Sequence, residues 1–316
     1  MSAPRVRAVV VTWNGAHLLP ECLDSLLAQD LPPGQLEVLV VDNASADGTA
    51  ALLADRYPQV RVLTLPQNRG FAGGVAAGTA DVLAAQAGGA LPEFVALLNN
   101  DARFEPDAVR LLVAAADAAE AAGERVGAVT ATVLLAERDD DGRVLVNSTG
   151  NILTASGAAA DRDYRVPLDE ARPTREVFGF NGGAALLRTS ALREAGGFDA
   201  SLFLYYEDTD LSWSMREHGW TIIHEHAARA HHRHMASTGG GASPVFRYYN
   251  TRNSLIVVTR HAGGVRALHS LARQSAGALT RLVRRDEAQA VNRARWRALG
   301  AYLVWLSHGR RPRSPQ

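Results

Sequence analysis

Carboxylate and amide side chains follow directly after an apolar segment of this sequence. The stretch EFVALLNNDARF, residues 93–104, passes from apolar residues into Asn99, Asn100 and Asp101. A short apolar run with polar borders is typical of a buried strand, and open α/β sheets bind ligands at the carboxyl ends of their strands. Asp101 is therefore a candidate ligand for a divalent cation, because Mg²⁺ prefers oxygen ligands. A helix or turn cap before Pro106 is the alternative interpretation of Asp101.

A second acidic group lies in the segment YYEDTDLSWSMREHG. This segment predicts a helix that begins near Glu207 and ends at Gly219. Neighbouring helical residues point about 100° apart, so Glu207 and Asp208 cannot face the same atom. Asp208 is a candidate general base, and Asp210 is a candidate for hydrogen bonding or capping. The structural alternative is that three acids at a helix start stabilise the helix dipole.

Alternating strands and helices must position these groups. Strands are predicted at residues 5–13, 36–42, 60–65 and 93–99, with leucines at helical spacing between the first two. Right-handed crossovers between parallel strands place all their carboxyl ends along one edge. We therefore expect Thr12 to Asn14, Asp42 and Asp101 to converge there. Thr12 and Asn14 carry groups suited to a pyrimidine edge, and Asp42 can accept hydrogen bonds from a base or ribose.

The rest of the chain is more varied. Residues 139–175 are polar and contain the strand-like RVLVNSTGNIL, which predicts a hairpin and a mobile loop. A short helix is expected from Thr189, and three helical patterns follow Ser243. The segment RAHHRHMAS places His231, His232 and His234 after a strand-like run.

Composition excludes several classes of protein. The chain has 316 residues and 47% hydrophobic content, which argues against a disordered or fibrous protein. Cys22 is the only cysteine, so an intrachain disulfide and a multi-cysteine zinc site are excluded, and we expect Cys22 to be a packing residue. No window is apolar enough to span a bilayer, and the N-terminus lacks a cleavable apolar segment. A cytoplasmic protein, soluble or peripheral to the membrane, is expected, with no nucleic-acid partner.

The formal net charge of zero hides a division along the chain. Residues 261–316 hold eleven arginines against Asp286 and Glu287, which leaves +9 there and −9 elsewhere. This asymmetry predicts an anionic surface partner for the C-terminal part, and a solvated helical face is the alternative. An interfacial helix is predicted in WRALGAYLVWLSHGRRPR. Its apolar contacts would be Trp296, Leu299, Tyr302, Leu303 and Leu306, unless it is instead a dimer-forming or core helix.

The common nucleotide-binding fingerprints are missing. The first strand-to-helix turn reads TWNG instead of G-x-G-x-x-G, and the chain has neither a G-x-x-x-x-G-K-[ST] motif nor any lysine. A nucleotidyltransferase would need a basic glycine-rich loop after its first strand, and TWNGAHLL lacks one. Glycines instead occur in NRGFAGGVAAG, residues 68–78. They allow either close approach of the backbone to a ligand or close packing of a helix on the sheet.

Six motifs in order resemble the signatures of one family. They are VVTWNG, VVDNASADGT, NRGFAGGVAAG, LLNNDA, FNGGAALLRTSALREAGGFD and YYEDTDLSWSMREHG. The chain is similar over residues 5–260 to family 2 inverting glycosyltransferases, especially the rhamnosyltransferase-like branch. The resemblance implies an α/β GT-A fold, with a mostly parallel central sheet flanked by helices. It also implies a glycosyltransferase domain over 1–260, with a nucleotide-binding half (1–103) and an acceptor-binding half (104–260), before a basic helical extension.

The resemblance assigns donor-side roles. The TWN segment (Thr12 to Asn14) and Asp42 would hold the nucleoside of a dTDP or UDP sugar, while Asn68 and Arg69 would border its ribose and diphosphate. Segment 99–101 replaces the family's D-x-D motif and keeps only the last carboxylate. Asp101 would bind Mg²⁺ or Mn²⁺, with Asn99 and Asn100 in the donor or metal environment, and His232 would reach the metal or diphosphate. His231 and His234 remain alternatives to His232.

The resemblance assigns acceptor-side roles as well. Asp208 matches the family's base and would deprotonate a hydroxyl of a glycan or lipid-linked acceptor. Acceptor contacts would come from Glu207, Gly182, Gly183 and Trp213, and Trp213 is alternatively a core residue. Arg252 belongs to an Arg-Asn pair and would contact the diphosphate or orient Asp208 or Glu207. The donor sugar (rhamnose is one candidate), the acceptor and the oligomeric state stay open. The competing hypothesis is a binding module for sugar nucleotides or glycans that has lost catalysis.

Overall fold

A nine-stranded sheet forms the centre of the protein in a computed structural model that describes residues 3–84, 91–154, 157–233, 243–285 and 287–308. The strands are β1 Val6–Thr12, β2 Leu36–Asp42, β3 Arg61–Thr64, β4 Phe94–Leu98, β5 Ala102–Phe104, β6 Val126–Arg138, β7 Val144–Ser148, β10 Ala184–Arg188 and β11 Thr221–His232. Two short strands, β8 Asn151–Leu153 and β9 Ala159–Asp161, form a separate hairpin. The main order is β3-β2-β1-β4-β10-β6-β11-β5, and β7 pairs with β6.

Parallel pairing joins β1 to β2, β2 to β3 and β1 to β4. Thr12 is in register with Asp42, so the carboxyl ends of these strands lie side by side as the sequence predicts. Beyond β4 the sheet is mixed, because β10 runs antiparallel to both of its neighbours. Ala184 pairs with Leu98, which places residues 182–183 beside residues 99–101. Sequence segments that are far apart therefore meet at one edge.

Helices cover both faces of the sheet. The helices are α1 Leu19–Leu27, α2 Thr49–Arg56, α3 Gly70–Gly78, α4 Ala80–Ala84, α5 Ala108–Ala121, α6 Thr189–Glu194, α7 Glu207–Glu217, α8 Pro244–His261, α9 Gly264–Arg284 and α10 Gln289–Ser307. One apolar layer joins the sheet to α1, α2 and α5, and it contains the fully buried Cys22 as expected. A second layer joins the other face to α3, α6 and α7. The predicted GT-A class, including its C-terminal helices, is confirmed.

Glycines allow α3 to lie close to the sheet. A Cβ atom at Gly74 would lie 2.5 Å from a methyl group of Val11, and one at Gly78 would lie 2.8 Å from Val9. Gly70 has a positive φ of 71°, and a Cβ there would meet the carbonyl oxygen of Phe203. The packing interpretation therefore accounts for Gly74 and Gly78, whereas Gly70 brings the start of α3 against the loop before α7.

The C-terminal helices form a third apolar cluster with the loop before α7. Leu299 and Tyr302 are buried in this cluster, so the expectation that they face an external apolar surface is wrong. Trp296, Leu303 and Leu306 are exposed. The expected boundary at residue 260 falls at the end of α8. Within the ranges that the structure describes, every helix is too short or too polar to cross a bilayer.

Candidate active site

The loop after β1 contacts the loop after β4 at the carboxyl edge of the sheet. Asn100 Nδ2 donates a hydrogen bond to Thr12 Oγ1 at 3.0 Å. Gly15 makes this approach possible, because a Cβ there would lie 2.4 Å from Thr12 Oγ1 and 2.6 Å from Asn100 Nδ2. The ring of Trp13 projects beside them and is 54% exposed. This corner therefore combines polar groups with a free aromatic face, a combination suited to a base.

The loops after β1 and β2 are held together by Asn14. Its side-chain Oδ1 accepts from Ala46 N at 2.8 Å, and its backbone N donates to Ser45 Oγ at 2.9 Å. Asn14 has a positive φ of 50°, a conformation that asparagine tolerates better than most residues. Asp42 Oδ1 accepts from Ser45 N at 3.0 Å. The predicted convergence of Thr12, Asn14 and Asp42 is thus present.

Asn43 links the loop after β2 to the start of α3, and the sequence alone did not identify it. Its Nδ2 donates to Asn68 Oδ1 at 3.1 Å and to Gly70 O at 2.9 Å, and its Oδ1 accepts from Arg69 N at 2.8 Å. Arg69 is exposed, and in the described ranges its guanidinium forms no ion pair with a carboxylate. An exposed, uncompensated cation beside this loop suits a diphosphate.

Asp101 and His232 face each other at the same edge. Asp101 Oδ1 lies 3.1 Å from His232 Nε2, and His232 Nδ1 lies 2.7 Å from Asn147 Oδ1. Because an amide oxygen only accepts, the contact to Asn147 places a proton on Nδ1, so a neutral His232 would offer its Nε2 lone pair to a metal bound beside the Asp101 oxygen. A carboxylate oxygen and an imidazole lone pair that converge in this way are suited to a divalent transition metal such as Mn²⁺.

A cavity of about 350 Å³ opens against Asp101 and His232. Its wall also contains Glu21 and three arginines, Arg103, Arg138 and Arg233. Among the described residues no group of three or more His, Cys, Asp or Glu side chains could hold a metal. A cation bound here would therefore complete its coordination with substrate oxygens and water, as Mg²⁺ and Mn²⁺ often do.

The three histidines considered at this site differ in position. His231 Nε2 lies 3.0 Å from Oε1 of Glu105, the residue that follows the edge strand β5. His232 is the residue next to Asp101, which supports it over His231 as the metal or diphosphate group. His234 lies outside the described residues.

Asp208 is held at the beginning of α7 by four hydrogen bonds. Its Oδ2 accepts from Asn151 Nδ2 at 3.0 Å and from Gly182 N at 3.1 Å. Its Oδ1 accepts from Thr209 N at 2.6 Å and from Thr209 Oγ1 at 3.2 Å. Donors on both oxygens fix the orientation of the carboxylate, as a general base requires.

Asp161, on β9, is a further carboxylate at this site that the sequence did not single out. It accepts from Asn181 Nδ2 at 2.9 Å. Burial and the nearby charge of Asp208 raise the pKa of Asp161 to about 6, while His232 acts in the opposite direction. Asp161 therefore lies near enough to Asp208 and His232 for their charges to act on it.

A short contact path joins Asp101 to Asp208. Asn99 N donates to Gly183 O at 3.0 Å, and the adjacent Gly182 N donates to Asp208 Oδ2. Gly183 must be small, because a Cβ there would lie 3.2 Å from Asn99 Nδ2 and 2.9 Å from Asn181 Oδ1. The two glycines therefore act through close backbone approach, between the donor edge and the helix that carries Asp208.

Trp213 lies on α7 and is partly buried. Its ring contacts Phe178 edge-on at 5.4 Å between centroids and stacks on His261 at 5.2 Å. This position agrees with the packing interpretation of Trp213 that the sequence left open. Its role as an acceptor platform stays a prediction.

Glu207 is a buried carboxyl group next to Asp208. It is 7% exposed, and its Oε2 has no hydrogen-bond partner among the described residues. Burial, together with the charge of Asp208, raises the pKa of Glu207 to about 8. The group is therefore mostly protonated at neutral pH, and its Oε2 is a buried polar atom that solvent does not reach.

We expect Glu207→Gln to stabilise the protein increasingly as pH rises from 5 to 8. The folded-state pKa exceeds the ordinary value of 4.5, so the wild-type fold loses stability through this pH range as Glu207 ionises. Each unit of pKa elevation corresponds to about 1.4 kcal/mol. Thermal unfolding of both proteins at several pH values measures the difference. Glu176→Gln at the exposed surface is the control, and an equal pH profile for the two variants would contradict the buried-acid assignment.

The loop before α7 has an unusual backbone that α8 holds in place. Phe203, Tyr205 and Tyr206 have positive φ values of 65°, 67° and 74°. Asn253 of α8 is fully buried, and its Nδ2 lies within 2.8–2.9 Å of the carbonyl oxygens of this loop. The acceptors are those of Leu202, Leu204 and Tyr205. Arg252 Nη1 donates hydrogen bonds to Ser201 O at 3.2 Å and to Asn253 Oδ1 at 2.8 Å. The Arg-Asn pair thus contacts the loop that leads to Asp208.

We expect Asn253→Ala to lower stability by about 1–3 kcal/mol, because three buried carbonyls lose their donor. We also expect a lower kcat with little change in donor affinity, because the loop that precedes Asp208 loses its anchor. Gln274→Ala is the matched control, since Gln274 Nε2 makes a single amide contact to Ser254 Oγ between α9 and α8. Denaturant unfolding and steady-state kinetics check both effects. An unchanged kcat in a folded Asn253→Ala protein would refute the positioning role.

Similarity to known proteins agrees with this geometry. Mannosyltransferase PcManGT from Pyrobaculum calidifontis, solved with GDP-Man and Mn²⁺, superposes with a TM-score of 0.54 at 20% identity, covering 97% of this chain and 87% of that one. GalNAc-T7, solved with UDP, GalNAc and Mn²⁺, gives a TM-score of 0.59 at 16% identity, covering 81% of this chain and 48% of that one. At these identities the similarity shows the fold alone, which is the GT-A fold.

The sequence comparison assigns the family. Residues 8–194 match the glycosyl transferase family 2 model, and the chain belongs to that family. It is 30% identical to N-acetylglucosaminyl-diphospho-decaprenol L-rhamnosyltransferase of Mycobacterium tuberculosis, covering 82% of this chain and 86% of the relative. It is also 38% identical to succinoglycan biosynthesis protein ExoO of Rhizobium meliloti, over 37% of this chain and 31% of ExoO. The resemblance to the rhamnosyltransferase-like branch is confirmed.

Proposed function

We propose that this glycosyltransferase moves a sugar from a nucleoside diphosphate donor to an acceptor hydroxyl with inversion, and that Asp208 is its base. The four hydrogen bonds that orient Asp208 carry the proposal, since they fix its carboxyl group close to the donor edge. Asp208 takes the proton of the acceptor hydroxyl. The acceptor oxygen then bonds to the anomeric carbon as the bond to the diphosphate breaks, and the nucleoside diphosphate leaves.

The donor side is proposed to use the loops after β1, β2 and β3. Thr12, Asn14 and Asp42 hold the nucleoside, while Asn68 and Arg69 border the ribose and diphosphate. The hydrogen bonds of Asn43 and Ser45 support these donor assignments, because they hold the three loops together at one edge of the sheet. A pyrimidine nucleotide of the dTDP or UDP type fits the amide, hydroxyl and carboxylate groups of this edge.

A divalent metal is proposed at Asp101 and His232, with Asn99 and Asn100 beside it. The convergence of the Asp101 oxygen and the His232 nitrogen supports this assignment, and Asn147 holds His232 in the required tautomer. When bound, Mg²⁺ or Mn²⁺ would neutralise charge on the departing diphosphate. Mn²⁺ is the preferred candidate, because an imidazole nitrogen suits Mn²⁺ better than Mg²⁺.

The acceptor is proposed to be a glycan or lipid-linked glycan hydroxyl, and the sugar is proposed to be rhamnose. The 30% identity with a rhamnosyltransferase whose name specifies a diphospho-decaprenol substrate supports both assignments. Glu207, next to Asp208, is also proposed as an acceptor contact, through the small part of its side chain that is exposed.

A donor screen tests the proposal. Thermal shifts are measured with dTDP-rhamnose, UDP-glucose, UDP-N-acetylglucosamine and GDP-mannose, each with and without Mn²⁺. Stabilisation by the dTDP sugar that requires Mn²⁺ is expected, and stabilisation by GDP-mannose alone would overturn the pyrimidine assignment. Release of nucleoside diphosphate that depends on acceptor then distinguishes an enzyme from a binding module that has lost catalysis. Binding without release across a broad acceptor screen would favour the binding module.

A further inference from the structure

Helix α9 has an apolar face that the rest of the described protein leaves open. Val265, Leu268, Leu279, Leu282 and Val283 are 86%, 67%, 53%, 54% and 73% exposed. Their spacing, together with exposed Ala272 and Ala276, places Val265, Leu268, Leu279 and Val283 on one stripe along the helix. The 21 residues of α9 extend roughly 30 Å at about 1.5 Å per residue. We call six residues the α9 stripe: Val265, Leu268, Ala272, Ala276, Leu279 and Val283.

The opposite face of α9 fixes how the stripe is presented. Ala267, Ser270 and Ala278 are buried, and Leu271 packs on the C-terminal apolar cluster. Gln274 Nε2 donates to Ser254 Oγ of α8 at 3.0 Å. The helix is therefore anchored on the domain by one face, and the α9 stripe points away from it. Isolated exposed apolar residues are normal in proteins, but an aligned apolar surface of this length marks an interaction site.

The charges on α9 indicate an anionic partner for the α9 stripe. The helix contains four arginines, Arg266, Arg273, Arg281 and Arg284, and no acidic residue. All four are exposed, and within the described ranges none forms an ion pair. At 100° per residue, Arg266, Arg273 and Arg284 project from one flank of the α9 stripe. An apolar face with arginines along its flank is the pattern of helices that lie in the interface of an anionic membrane.

We propose that the α9 stripe docks this protein on an anionic lipid surface. Pairing with a second copy of α9 would bury the apolar face but would bring arginines together without a carboxylate on either helix. Anionic headgroups neutralise those charges, and each arginine near such a surface strengthens binding about fivefold. The sequence placed an interfacial helix in α10, whereas the structure buries Leu299 and Tyr302 and leaves α9 with the longer apolar face.

Vesicle binding tests this proposal without substrate, so its outcome is independent of the proposed function. The full chain is sedimented with phosphatidylglycerol:phosphatidylcholine vesicles and with pure phosphatidylcholine vesicles, at low salt and at high salt. We expect binding to the anionic vesicles that salt weakens, and little binding to neutral vesicles. Failure to bind anionic vesicles at low salt would overturn the proposal.

Three variants locate the surface. The α9 stripe variant (Leu268→Gln, Leu279→Gln and Val283→Gln) should lose vesicle binding about tenfold or more, because its apolar insertion is removed. The charge variant (Arg266→Gln, Arg273→Gln and Arg284→Gln) should lose the salt-sensitive part of binding. The matched control (Leu303→Gln and Val304→Gln) changes exposed apolar residues of α10 and should bind as the wild type does.

Two further results would count against the proposal. Equal vesicle binding by the wild type and the α9 stripe variant would place the lipid surface elsewhere. A wild-type dimer that the α9 stripe variant converts to a monomer, without vesicle binding by either, would assign the face to a second copy. Thermal melting of each variant confirms that these exposed substitutions leave the fold intact.

Discussion

Asp208→Asn is expected to lower kcat by about 10²- to 10⁴-fold, the usual contribution of a positioned general base. The amide keeps the size of the side chain but cannot accept the acceptor proton. Donor binding should remain, because the proposed nucleotide contacts lie on the loops after β1, β2 and β3, whereas Asp208 lies on α7. Release of nucleoside diphosphate measures kcat, and a thermal shift with the donor measures binding.

Asp161→Asn is the informative comparison, because Asp161 is the other carboxylate that faces this region. We expect a smaller loss than for Asp208→Asn, with a pH profile that changes near pH 6. If Asp161→Asn abolished turnover while Asp208→Asn stayed active, the two roles would be reversed.

Asp101→Asn is expected to raise the Mn²⁺ concentration for half-maximal activity by about 10- to 100-fold or more. Loss of a residue that only hydrogen-bonds a metal ligand typically lowers metal affinity about 10- to 100-fold, and loss of a ligand should cost at least as much. The substitution removes the carboxylate charge while keeping the shape of the loop. Calorimetric titration of Mn²⁺ with the nucleoside diphosphate present measures affinity directly. His232→Gln should produce a similar loss, and His231→Gln should retain affinity, since His231 contacts Glu105.

Asn147→Ala provides a further test of the same site. It removes the amide oxygen that keeps His232 in its tautomer, so it should weaken Mn²⁺ binding without removing a ligand. Unchanged Mn²⁺ affinity in both Asp101→Asn and His232→Gln would exclude this pair as the metal site.

The donor edge was predictable from sequence because local pattern determines it. Apolar runs and polar ends predicted β1 to β4 to within one or two residues, and parallel pairing then brought Thr12 and Asp42 together. The motif order also identified the family, because these segments keep the same order along the chain. Both signals are read along the chain and need no knowledge of distant contacts.

The remaining features depended on tertiary contacts. Asn147, Asp161 and Asn43 are ordinary polar residues in sequence, and only the folded chain brings them against His232, Asp208 and Asn68. Asn147 and His232, for example, are 85 residues apart in the sequence. Similarly, α10 has the more aromatic sequence, but packing against α8 and α9 decides which of its sides is buried. Periodicity identifies an apolar face without identifying what covers it.

The segment from Asn147 on β7 to Asn151 on β8 has a consequence for how the sequence of this enzyme can vary. Asn147 contacts His232, and Asn151, only four positions later, contacts Asp208. The side chains proposed for leaving-group activation and for proton removal are therefore held by one short stretch of covalent backbone. An insertion or deletion between the two asparagines would displace the contacts to both His232 and Asp208. Changes in substrate choice must therefore arise in the surrounding loops, while the number of residues between Asn147 and Asn151 stays constant.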